Sequence, residues 1–205
     1  MSREGWIAWG LAACLSLGVG TSGAASLQVT VVDEQGRPVP DAVVFLDSVQ
    51  ASKVVRPMAQ VDMAQQNKRF VPDVLLVTRG TPVAFPNRDT VRHHVYSFSP
   101  TKRFELKLYV GTPAQPVVFD QPGVAVLGCN IHDQMIARVV VVDTPYRAQA
   151  DADGRVVLDN VPPDAYQLRL WHQRLPVGAS AQAQALSMTD KSVAMRVVLR
   201  KLEAP

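Results

Sequence analysis

From residue 27 onward, apolar side chains recur either in strict alternation or in short β-branched runs. Residues 93–98, 104–109 and 167–171 alternate apolar with polar, the pattern of strands buried on one face. Residues 27–33, 42–46, 74–78, 83–85, 117–119, 124–127, 136–142, 155–158 and 192–199 are shorter runs rich in Val, Leu and Phe. Turn chemistry separates them: Glu34-Gln35-Gly36-Arg37-Pro38, Arg79-Gly80-Thr81, Asp120-Gln121-Pro122-Gly123 and Asp151-Ala152-Asp153-Gly154. Val74 to Phe85 reads as strand, tight turn, strand. Residues 48–60 and 176–190 carry no clear period, and no stretch after residue 25 predicts a helix. Many short strands with frequent turns predict an all-β chain of the sandwich or barrel class.

Composition narrows the picture. In a chain of 205 residues, 47% are apolar and 19% charged, enough to bury a core. The net charge of +3 and the lack of a Lys/Arg stripe interleaved with aromatics argue against a nucleic-acid partner.

The first residues have a different texture. Arg3 precedes an apolar run over 6–19, then the small residues Thr21-Ser22-Gly23-Ala24-Ala25. This is the layout of a secretory signal peptide over 1–25, cut after Ala25. The run falls short of the ~20 residues that a spanning helix needs, and no later stretch could span a bilayer. The expected destination is the periplasm. Leu11-Ala12-Ala13-Cys14 also resembles a lipobox, so a lipid anchor at Cys14 is the minor alternative. Removing residues 1–25 leaves Cys129 as a lone thiol, unable to form an internal disulfide in an oxidising compartment.

Cys129 opens the run Cys129-Asn130-Ile131-His132-Asp133-Gln134-Met135, on a loop between two apolar strands. Thiolate, imidazole and thioether are the soft set that suits copper. A second imidazole is needed for a His₂Cys plane with a weak axial Met, and His93 and His94 on an earlier strand are the candidates. They point to opposite faces, so only one can serve. Taken singly, a buried Cys or Met is more often a packing residue. A Cys129–His132 nucleophile and base is disfavoured: both sit on one short loop, and Asp133 is too near in sequence to orient His132. A zinc site of Cys, two His and water fits the ligand types, but Met135 argues against it. His172 reads as a surface residue.

Residues 61–143 resemble the cupredoxin family of blue copper proteins. The resemblance is carried by Phe70-Val71-Pro72, Val77-Thr78-Arg79-Gly80, Val83-Ala84-Phe85-Pro86-Asn87, His93-His94-Val95, Phe119-Asp120-Gln121-Pro122-Gly123 and the C-x-x-H-x-x-M run, whose spacing is that of amicyanin. It implies a Greek-key β-sandwich holding one type 1 copper ion on His93, Cys129, His132 and Met135. Asn87 falls on a loop position common in the family. Two departures stand out: His94 occupies the place of a loop-bracing Asn, and Ala125 that of a bulky aromatic. The whole chain is similar to exported proteins labelled for methylamine utilisation.

Residues 31–46 and 150–168 resemble the two halves of a carboxypeptidase-regulatory-like sandwich. The expected organisation is a signal peptide over 1–25, a first sandwich part over 26–55, a cupredoxin-like copper domain over 56–143 and a second sandwich part over 144–205. The other reading is one enlarged cupredoxin with extra strands. The implied function is single-electron transfer between periplasmic redox proteins, a cytochrome or dehydrogenase, with no enzymatic activity. Its rivals are a copper carrier or store and a non-redox scaffold.

Overall fold

The computed structural model describes residues 25–204. The expected signal segment, with Arg3 and Cys14, lies outside them except for Ala25, which is buried at the head of the first strand. The chain begins with β1 (Ala25–Val32), β2 (Val43–Asp47), a short helix α1 (Val49–Val54) and β3 (Val61–Asp62). It continues through β4 (Ala64–Gln66), β5 (Arg69–Val71), β6 (Val74–Thr78), β7 (Thr81–Ala84), β8 (His93–Ser99), β9 (Lys102–Tyr109) and β10 (Val117–Phe119). Then come β11 (Gly123–Cys129), β12 (Ile136–Val142), β13 (Arg147–Gln149), β14 (Arg155–Val161), β15 (Asp164–Trp171), β16 (Gln182–Met188) and β17 (Val193–Val198). No helix among the described residues is long and apolar enough to cross a membrane.

The fold is all-β, as the alternation predicts, and its sheets form two sandwich-like stacks. In the first, the sheet β14-β1-β17 packs against β13-β2-β15-β16. Inward residues such as Leu27, Val29 and Val31 on β1 meet Val44 and Leu46 on β2 and Leu168 and Leu170 on β15. These strands come from the two ends of the described chain. In the second, the five-stranded sheet β6-β12-β11-β8-β9 packs against β10-β7-β3 around Phe70, Phe85, Phe119, Val95 and Leu127. Its strands pair antiparallel except β12 with β6 and β3 with β7, which are parallel.

Strand β12 belongs to both cores. Ala137, Val139 and Val141 point into the second, whereas Val140 and Val142 point into the first, with Val74 from β6 beside them. A strand buried on both faces reads as an unbroken β-branched run, and Val139-Val140-Val141-Val142 is that run.

Two expectations fail. The helix-free reading misses α1, whose Ser48 side chain accepts the Ala51 N–H at 3.1 Å as an N-cap. With six residues, α1 is too short to show a helical period, and Pro57 bars its extension by disfavouring helical geometry at Arg56. His172, read as a surface residue, is buried; its Nδ1 accepts the Arg174 N–H at 3.1 Å.

Candidate metal centre

Alternation along two neighbouring strands builds the site. On β11, Ala125, Leu127 and Cys129 face the second core; on β8, His93, Val95 and Ser97 do. Cys129 pairs with Val95 across the antiparallel ladder, which sets its thiol diagonally beside His93 on the same face. The chain then turns sharply. Asn130 N–H donates to the His94 carbonyl at 3.1 Å, Met135 N–H to the His132 carbonyl at 2.9 Å, and Ile136 N–H to the Gln134 carbonyl at 3.1 Å. This turn folds His132 back over Cys129 and returns Met135, fully buried, to the same core.

The result is a three-cornered cluster. Cys129 Sγ lies 3.7 Å from His93 Nδ1 and 3.7 Å from His132 Nδ1. The three donor atoms all lie within 4.8 Å of one another. Metal–nitrogen bonds of about 2.0 Å and metal–sulfur bonds of about 2.3 Å, opened to about 110–120°, separate N and S by about 3.5–3.7 Å. Both N–S separations are thus those of donors around a shared ion. One thiol and two imidazoles meet here, and the Met135 thioether is buried in the same core as Cys129; donors of this softness suit copper.

The two vicinal histidines have separate roles. His93 is fully buried and faces Cys129. His94 points to the other face of the sheet, where its ring nitrogen lies 2.8 Å from Glu105 Oε1. Its side chain plays no part in the cluster, but its carbonyl takes the Asn130 N–H, so backbone supplies a brace to the loop. Asn87 is buried and braces the approach to β8. Its Nδ2 donates to the Val91 and Tyr109 carbonyls at 2.8 and 3.0 Å, and its Oδ1 accepts the Asp89 N–H at 2.9 Å.

Other groups at the site escape a reading of the sequence. Asp89 Oδ2 lies 2.8 Å from His93 Nε2, on the far side of the ring from Cys129. The same carboxylate accepts the N–H groups of Asn67 and Lys68 at 2.6 and 2.9 Å. Burial pushes its pKa up, but the Lys68 N–H, His93 and the Asn67 N–H together hold it below the ordinary Asp value. An Asp on a polar loop just upstream of the His strand was the only signal available. Tyr109, which pairs with His93 across the ladder, donates its hydroxyl to Gln65 Oε1 and the Phe85 carbonyl. Burial pushes its pKa far above the usual phenol value.

Exposure is uneven. His93, Cys129 and Met135 are sealed in, while His132 is half-buried and flanked by Ile131 and Ile136, 48% and 49% exposed. The ring centroids of His93 and His132 are 5.0 Å apart.

No protein-family model matches this chain, and no curated protein matches it in sequence. Among solved structures it is similar to a purple cupredoxin from Nitrosopumilus maritimus, at 24% identity over 42% of this chain and 100% of that one, TM-score 0.35. It is similar to a mutant amicyanin in its reduced Cu(I) form, at 21% identity over 48% of this chain and 98% of that one, TM-score 0.36. A copper-containing nitrite reductase from Thermus scotoductus is 24% identical over 56% of this chain and 28% of that one, TM-score 0.38.

Proposed function

We propose that this chain is an exported protein that holds one type 1 copper ion on His93, Cys129, His132 and Met135 and relays single electrons. The observation that carries this reading is the pair of 3.7 Å separations from Cys129 Sγ to the two Nδ1 atoms. Copper supplies a one-electron couple when bound. The chain's part is to keep the ligands still: His93 and Cys129 sit on paired strands, and the hydrogen-bonded 129–136 turn carries the rest. A rigid donor set reorganises little between oxidation states, and a thiolate with a weak axial thioether tunes the potential. His132, at the surface between Ile131 and Ile136, is the point of closest approach for a redox protein such as a cytochrome or dehydrogenase. A small apolar patch suits a brief encounter. The residues ahead of β1 are proposed to direct export to the periplasm, and the second stack is proposed as a copper domain inserted into a sandwich built from both ends.

A second reading, reversible copper carriage, draws on the same half-buried His132, which gives the ion a short way out. Visible absorption and EPR of the Cu(II)-loaded protein, beside Cys129→Ala, decide the main proposal. An intense thiolate-to-copper band with narrow copper hyperfine splitting, lost in the variant, supports a type 1 site. A colourless protein, or a copper signal that survives the substitution, rejects it. Slow redox cycling with ready transfer of the ion to a chelator favours carriage.

A further inference from the structure

We propose that Asp89 is the positioning residue that gives His93 its metal-binding tautomer, and that the β4–β5 hairpin turn exists in part to hold Asp89 in place. The inference rests on the metal site proposed above but concerns a residue outside the ligand set. An imidazole can present a lone pair at Nδ1 only if its proton resides on Nε2. His93 is fully buried, and Nε2 lies 2.8 Å from Asp89 Oδ2. A carboxylate accepts and cannot donate, so this contact places the proton on Nε2 and leaves Nδ1 bare toward Cys129.

The carboxylate is itself fixed. Asn67 and Lys68 both adopt positive φ, at 55° and 54°, so the turn between β4 and β5 aims two successive N–H groups at Asp89. Asn67 N–H binds Oδ1, while Lys68 N–H shares Oδ2 with His93. The Asn87 side chain holds the Asp89 backbone N–H from behind. Both carboxylate oxygens therefore meet only donors. An amide in the same place could offer one oxygen; its NH₂ would face the Asn67 N–H in one orientation, and both the Lys68 N–H and Nε2–H in the other. The clash with Nε2–H is relieved only if Nε2 becomes an acceptor, which moves the imidazole proton to Nδ1 and blocks the metal.

The test uses the metal-free protein with ¹⁵N-labelled histidine. Long-range ¹H–¹⁵N spectra of the wild type should show His93 protonated on Nε2 and bare at Nδ1. In Asp89→Asn the preference for the Nε2–H tautomer should weaken, with Nδ1–H becoming populated, and affinity for Zn²⁺, a redox-silent probe, should fall about 10–100-fold. Asp89→Glu, which keeps the carboxylate, should recover part of that loss. A wild-type His93 protonated on Nδ1 overturns the proposal without any variant. So does an Asp89→Asn protein that is less stable but unchanged in tautomer and within twofold in Zn²⁺ affinity, because that is a structural role alone. A wild type that binds no copper refutes the function proposed above, while the tautomer still decides the role of Asp89.

Discussion

Replacing Val140 with Ala tests whether the two stacks behave as one unit. Val140 is 2% exposed, near the middle of β12, between β6 and β11, and its side chain belongs to the first core although its strand leads away from the Cys129–Met135 turn. The substitution removes two buried carbons, worth about 1.6 kcal/mol at about 0.8 per methylene. A cavity forms as well, since Val139 and Val141 are pinned in the other core and the strand cannot close inward; the total comes to about 2–3 kcal/mol. For a protein of this size that lowers Tm by about 5–10 °C. Thermal melts should follow two probes at once. Trp171, buried in the first stack, is the only tryptophan among the described residues, and the thiolate–copper band of the proposed site reports the second. Because β12 is common to both cores, both transitions should drop together. A band that melts at the wild-type temperature while Trp171 fluorescence shifts would refute the shared-strand argument. Val157→Ala, at a position 53% exposed, is the control and should change stability by less than about 0.5 kcal/mol.

Three further expectations follow from other parts of the fold. Gly154→Ala should cost at least about 2 kcal/mol in denaturant melts, because φ is +72° and the new Cβ would run into the Val31 carbonyl oxygen; an unchanged midpoint would contradict the turn geometry. Gly128→Ala would set a Cβ 2.8 Å from the Tyr96 ring, and should destabilise by about 1–3 kcal/mol, with Gly128→Ala/Tyr96→Leu recovering part of it; no recovery would mean the clash lies elsewhere. His172 has its pKa lowered, first by burial and then by the Arg174 and Arg138 charges, against the opposing pull of Asp41 and the Pro40 carbonyl. Folding therefore favours its neutral form. That contribution is complete above the unfolded value of about 6.5 and is lost as pH falls from there through the lower folded pKa. Between pH 7.5 and 5 the wild type should lose stability faster than His172→Gln; parallel curves would reject the assignment.

How much could be read in advance depended on what each residue does to its neighbours in sequence. Alternation exposes β8, β9 and β15, because each has one wet face. The doubly buried β12 shows as an apolar run. The edge strand β16, Gln-Ala-Gln-Ala-Leu-Ser-Met, is mostly exposed along both faces and leaves no period to find. The hairpin β4–β5 and helix α1 are too short to carry one. At the site, Cys129, His132 and Met135 stand out in the sequence because one turn holds all three; strand parity admits only one of His93 and His94, and the register after Phe85-Pro86-Asn87 in the cupredoxin resemblance selects His93. Asp89 does not stand out, since its partners Asn67 and Lys68 arrive from another hairpin and act only through backbone N–H groups.

The strand that opens the described chain is flanked by β14 on one side and, in parallel, by β17 on the other. The Ser26 and Ser192 side chains that hydrogen-bond across this seam are 166 residues apart. Synthesis delivers β1 first and its neighbours last, so the first stack behaves like a clasp fastened at the end of manufacture. Until then β1 is a bare edge, of the kind that recruits foreign strands. A copy cut short before residue 193 could never fasten, and its unpaired edge would advertise it to whatever clears defective chains. Any tag or fusion appended after β17 inherits the same constraint: it must leave the seam free to shut.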